Sequence, residues 1–147
     1  MDYLFSLIDI PWSYYLIAIG IVAVLTVTTK KWAIAILAGY MFLVLTDTVL
    51  IREVGELRYE LLPFWSYRDY FNGTDGSLMK QIVANVVMFI PIGILAGKLL
   101  NWNGVLIGAV FSVIIEITQL VTCRGLFEFD DILHNTIGTV IGVTRGY

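Results

Sequence analysis

Four long apolar runs dominate this chain: Pro11–Thr29, Trp32–Ile51, Gln81–Leu100 and Gly104–Thr122. Each approaches the ~20 residues that a helix needs to cross the hydrocarbon core of a bilayer. No water reaches backbone amides there, so every N–H and C=O must be satisfied inside the segment, and a helix does this for each run alone. A fifth stretch, from about Ile132 to Val143, is shorter, so it is expected to tilt, thin the bilayer or insert only in part. The fold class expected is therefore all-α: a polytopic membrane helix bundle of about five transmembrane helices, with residues 1–147 as one domain. Composition agrees, because 59% of the residues are hydrophobic and 14% charged. A soluble domain sits nearer one-half apolar and one-quarter charged.

A net charge of −3 leaves no basic stripe to neutralise phosphates, which excludes nucleic acid as a partner class. The lone Cys123 has no partner for an intramolecular disulfide and reads as a small residue near a helix end. The head, Met1–Ile10, holds Asp2 and Asp9 but no Lys or Arg. That is the wrong charge for a secretory signal, so the first run is expected to be retained.

Lys30-Lys31 and Asn101-Trp102-Asn103 are tight connections, and each makes an antiparallel helical hairpin. The shortest loops are where the positive-inside rule is most reliable, and here they are purely basic. This predicts the N-terminus outside, with Lys30, Lys31, Lys98 and Arg145 on the cytoplasmic side. The C-terminus is then cytoplasmic as well.

Glu116 lies in the middle of the fourth run. A carboxylate there is costly, roughly 2.5–3.5 kcal/mol for a comparable Asp on an insertion scale. It has helical company: Gly108, Ser112, Glu116 and Gln119 share one face. The next segment repeats the device with Asp131, Asn135, Gly138 and Gly142. In the predicted topology, Asp47, Asn85, Glu116, Gln119, Asp131 and Asn135 fall at one depth near the outer leaflet. A polar pocket opening toward that leaflet is expected.

The one long connection, Arg52–Lys80, mixes Arg52, Glu53, Glu56 and Glu60 with Val54, Leu57, Leu61 and Leu62. That mixture predicts a short amphipathic helix stopped by Pro63. Phe64, Trp65, Tyr67, Tyr70 and Phe71 follow, as in an interfacial aromatic belt. The bland reading is an interfacial loop, and the sharper one a lid over the pocket.

Four segments taken together resemble the VanZ-like family, with matching order and spacing from about Arg52 to Val143. They are Leu62-Pro63-Phe64-Trp65; Asn85-Val86-Val87-Met88-Phe89-Ile90-Pro91-Ile92-Gly93; Glu116-Ile117-Thr118-Gln119 with Arg124; and Phe129-Asp130-Asp131-Ile132-Leu133-His134-Asn135-Thr136-Ile137-Gly138. The resemblance implies a small bacterial membrane protein, in a family whose founding member is associated with low-level resistance to the lipoglycopeptide teicoplanin. His134 is a less usual neighbour in the pattern.

Each residue carries a functional and a structural reading. Glu116 can carry a proton, pair with Arg124, or serve as a hydrogen-bonded acid that fixes packing. Gln119 can donate to Glu116, to a ligand or across helices. Arg124 can pair with Asp130 or Asp131, or clamp a phosphate. Asp130 and Asp131 precede the last run, where acids cap free amides. With Glu116 they form only a weak candidate for a divalent ion, so neither metal nor cofactor is expected. Asn85 and Asn135 are expected to face each other, bonding mutually or to a ligand. His134 is read as packed or interfacial. Pro91 is expected to free carbonyls in the third run, and the Gly-x-x-x-Gly pairs to let helices approach closely within the chain.

Three functions follow from this reading. The first is binding or handling of an amphiphilic cell-envelope ligand: a membrane lipid, a lipid-linked cell-wall precursor or a lipoglycopeptide. The ligand-binding candidates are Asn85, Glu116, Gln119, Arg124, Asp130, Asp131 and Asn135. The second is a membrane enzyme acting on a phospho- or glycolipid headgroup, with Glu116 or Asp131 as general acid or base. The third is a scaffold subunit for a membrane protein partner.

Overall fold

The computed structural model describes residues 10–146, so the acidic head with Asp2 and Asp9 lies outside the described residues. The chain folds as helices α1 (Trp12–Thr29) and α2 (Trp32–Leu45), the latter extended by a π-turn over Thr46–Leu50. A short strand β1 (Arg58–Glu60) and a short helix α3 (Trp65–Phe71) follow. Then come α4 (Leu78–Leu100), a 3₁₀ turn (Asn101–Asn103), α5 (Gly104–Thr122), strand β2 (Leu126–Glu128) and α6 (Phe129–Gly146). Three helical stretches are long and apolar enough to cross a membrane, Trp12–Thr29, Trp32–Leu50 and Leu78–Thr122. The last of these is divided by the Asn101–Asn103 turn. The architecture is the expected all-α bundle, with one small exception.

That exception is a two-stranded parallel sheet, in which Arg58 pairs with Leu126, Tyr59 with Phe127 and Glu60 with Glu128. It overturns the amphipathic helix expected over Arg52–Leu62. The segment instead runs extended against the α5–α6 connection, and Gly55 N–H donates to the Cys123 carbonyl at 2.7 Å. Backbone bonding to a neighbouring strand outweighs weak amphipathicity in so short a stretch. The short helix forms after Pro63 rather than before it. Proline lacks an amide N–H and restricts the residue before it, so it fits a helix start better than its interior.

The final helix is also longer than expected, Phe129–Gly146 rather than about Ile132–Val143. Asp130 and Asp131 therefore lie in its first turn and do not precede it.

The bundle core joins Leu37, Val44 and Val49 of α2 and its turn, Phe89, Ile92 and Ala96 of α4, and Phe111 and Ile115 of α5. Helix α6 packs most extensively on α4, and α1 packs chiefly on α2. Glycine makes the α4–α6 apposition possible. A Cβ on Gly93 would strike the Thr139 carbonyl, and one on Gly138 would strike the Val86 carbonyl. The Gly-x-x-x-Gly spacings thus serve contacts within the chain. Helix α4 continues through Pro91, and Tyr40 OH donates to the Met88 carbonyl at 3.0 Å. The Met88 carbonyl is one residue past that of Val87, which loses its helical partner because Pro91 has no amide N–H.

Candidate functional site

The polar side chains gather at the end of the bundle where α2 and α5 finish and α4 and α6 begin. Helix α5 presents Ser112, Glu116 and Gln119 from one face, all buried, as their spacing requires. Helix α6 runs antiparallel alongside and meets them in turn. Near the middle, a Cβ on Gly108 would strike the Thr139 side chain. One turn on, Asn135 Nδ2 donates to Ser112 Oγ at 2.9 Å. One turn further, Glu116 Oε2 accepts the Glu128 backbone N–H at 2.9 Å.

Glu116 is 1% exposed, and the charges that face it are Asp131 and the Arg52 guanidinium. Asp131 accepts from Asn85 Nδ2 of α4 at 2.7 Å. Its side chain keeps 25% exposure, which makes it the outer edge of the group. Glu128, in the connection outside the long helices, is not among the sequence candidates. Burial first, and then the Asp131 and Glu116 carboxylates, push its carboxyl well above the usual range. A side-chain hydrogen bond with Asp131 adds to the rise. Three carboxyls from α5, β2 and α6 thus share one electrostatic environment.

Gln119 bonds across helices: its Nε2 donates to the Thr48 carbonyl in the π-turn at 3.0 Å. Arg52 and Gln119 converge beside Gly125, since the Arg52 Nη1 and Gln119 Cδ atoms lie 3.2 and 3.1 Å from where a Gly125 Cβ would stand.

The structure corrects three of the expected arrangements. Asn85 and Asn135 do not face each other as partners; Asn85 bonds Asp131 and Asn135 bonds Ser112. Buried amides bond the nearest complementary group, and the α4–α6 and α5–α6 contacts supply different ones. Arg124 pairs with neither Asp130 nor Asp131, and instead its Nη1 donates to the Leu50 carbonyl at 2.9 Å. The αL geometry of Cys123 at the end of α5 turns the chain there, and the last carbonyls of the π-turn lie within reach.

Asp130 is the third. It is 1% exposed and faces away from the acidic group, toward α3. Its carboxylate accepts Phe64 N–H at 2.6 Å, Ser66 N–H at 3.2 Å and Ser66 Oγ–H at 2.6 Å. Expected to cap its own helix, it caps α3. Phe64 stands in the left-handed region at φ 62°, and the turn so made points the Phe64 and Ser66 amides at one anion. Two of the motifs quoted above, Leu62–Trp65 and Phe129–Gly138, are therefore joined by a single carboxylate.

His134 does more than the sequence reading allows. It is 2% exposed, its Nε2 is 2.9 Å from Tyr67 OH, and its Nδ1 is 3.9 Å from Asp131 Oδ1. It thus lies between the aromatic helix and the acids. The Tyr67 phenol is held above its ordinary range by burial and by the Asp130 carboxylate. The only sequence signal for this role is the proximity of His134 to Asp131 along the helix, at i+3. Among the described residues, no three His, Cys, Asp or Glu side chains are grouped as a metal would require.

Long apolar helices, a glycine-packed interior and buried acids at one end define a helical membrane protein with a buried polar cluster. The chain belongs to the VanZ/LLP1 family, whose sequence profile matches residues 14–145. The match takes in the first two apolar helices, beyond the span from Arg52 to Val143 that the motifs alone suggest. No curated protein and no solved structure matches the chain.

Proposed function

We propose that the protein is a multi-pass protein of a bacterial cell membrane, with its N-terminus outside and its C-terminus cytoplasmic. Its polar end-chamber then faces the outer leaflet and receives the headgroup of an amphiphilic envelope ligand. One observation carries this reading. Asn85, Glu116, Glu128, Asp131 and Asn135, from three helices and a connection, are brought to the same end of the bundle. The aromatic helix lies over that end, with Phe64 and Phe71 61% and 78% exposed, as an interfacial belt requires. A ligand with an acyl tail leaves the tail in lipid and offers only its headgroup to the polar groups. The family association with a lipid-tailed antibiotic agrees with this chemistry.

The test is teicoplanin susceptibility in a sensitive host that expresses the chain. Glu116→Gln and Asp131→Asn, at matched membrane levels, are expected to abolish any protection. Full protection by both variants rejects the reading.

A second reading, headgroup chemistry, is favoured by one feature. Burial and the neighbouring Asp131 and Glu116 hold the Glu128 carboxyl well above the usual range, and acid–base catalysis uses carboxyls raised in this way. Purified folded protein incubated with isoprenoid phosphates and phospholipids, with and without Mg²⁺, would show turnover if it is an enzyme. Inertness across the panel removes this alternative.

A further inference from the structure

The acidic chamber is bordered by side chains whose hydrogen-bonding capacity is only half used. Gln119, Asn135 and His134 are 4%, 3% and 2% exposed, yet Gln119 Oε1, Asn135 Oδ1 and His134 Nδ1 have no partner. Leaving a buried polar atom unpaired costs about 1–3 kcal/mol, so each demands an explanation. The chemical sense of two of them is fixed. Gln119 uses its amide hydrogens on the Thr48 carbonyl, which leaves its oxygen as an acceptor. Asn135 uses its own on Ser112 Oγ, with the same result. The third, His134 Nδ1, aims into the acidic group at 3.9 Å from Asp131 Oδ1. That gap is too long for a direct bond but is spanned by one donor with hydrogens for both.

The acceptors that meet here, the Glu116 and Asp131 carboxylates and His134 Nδ1, call for a cation with several N–H donors. A metal ion does not fit, because the carboxylates and His134 are not grouped closely enough for one. A quaternary ammonium has no hydrogens to give and would need an aromatic cage instead. A primary ammonium has three donors, arranged to reach acceptors on different elements. We propose that the group formed by Glu116, Asp131 and His134 is a receptor for a primary ammonium group. The proposal rests on the amphiphile reading above and gives the headgroup its chemistry. The partly exposed Asp131 side chain is the point of entry. The exposed Arg52, beside Gln119 at the rim, suits an anionic group next to the amine, as in a phosphoethanolamine headgroup.

The test uses the full chain in detergent and measures binding of four probes. They are lyso-phosphatidylethanolamine, its N-acetyl and N-trimethyl (lyso-phosphatidylcholine) counterparts, and free ethanolamine. The expected result is about tenfold or more tighter binding of the amine lipid than of either capped lipid, the scale of one charge-assisted bond. Asp131→Asn should erase that preference. Asp131→Glu should restore part of it, which separates lost recognition from lost fold. Equal binding of amine and capped lipids overturns the ammonium inference while the amphiphile reading stands. Binding of ethanolamine alone, with all three lipids inert, keeps the ammonium site and overturns the amphiphile reading. Failure of all four probes overturns both.

Discussion

Ser66 Oγ–H donates to Asp130 Oδ2 across 2.6 Å, and this contact ties the aromatic helix to the first turn of α6. The two residues are 64 positions apart in the chain, and both are buried. Because Asp130 also takes the Phe64 and Ser66 amides, one carboxylate fixes where the aromatic segment sits over the acids.

Asp130→Ala should therefore loosen α3 more than the bundle. It leaves buried amides and a hydroxyl without an acceptor, at a cost of about 3 kcal/mol in all. Limited proteolysis should cut within residues 61–77 while α4–α6 stay protected. Asp130→Asn, which keeps one acceptor, should fall between. Protection of the loop equal to that of the parent would contradict the anchoring role.

The Glu116 contact with the Glu128 N–H distinguishes two substitutions. Glu116→Gln keeps a carbonyl acceptor and should cost at most about 1 kcal/mol of thermal stability in detergent, since it removes charge but no bond. Glu116→Leu removes the acceptor and strands the amide, and about 1–3 kcal/mol is expected. Equal stability of the two variants would mean that the bond contributes nothing.

Stability should depend on pH through Glu128. Its folded carboxyl is raised by burial and by Asp131 and Glu116, so the folded state binds its proton more tightly than the unfolded state does. Such a group stabilises most below the ordinary carboxylate range, and its contribution is lost as pH rises from there through the folded value. The melting temperature in detergent should decline over that interval, and Glu128→Gln should flatten the decline. An unchanged slope in the variant would place the titration elsewhere.

Gly138→Val and Gly93→Val test the helix contacts. Each added side chain meets backbone of the facing helix, Val86 O in one case and Thr139 O in the other. A carbonyl on a packed helix cannot step aside as a flexible side chain can. Overpacking costs typically 1–3 kcal/mol, occasionally more, and the upper end is expected. Gly20→Val, where a Cβ meets nothing within 4 Å, should leave the melting temperature unchanged and serves as the control.

The chain's own pattern determined the helices and the faces they bury. Apolar length fixes which segments become long helices, and a period near four residues fixes that Ser112, Glu116 and Gln119 look inward together. Both properties are local and survive any arrangement of neighbours. Tertiary structure alone decided who meets whom. Asn85 found Asp131 rather than Asn135, Arg124 found a carbonyl, and Glu128 joined the acids. Residues 58–60 became a strand only because Leu126–Glu128 lay alongside. Partner choice depends on the rotation and offset of packed helices. Those are set by glycine contacts between α4, α5 and α6: the four-residue glycine spacing shows which faces can approach closely, and not which helix each face meets.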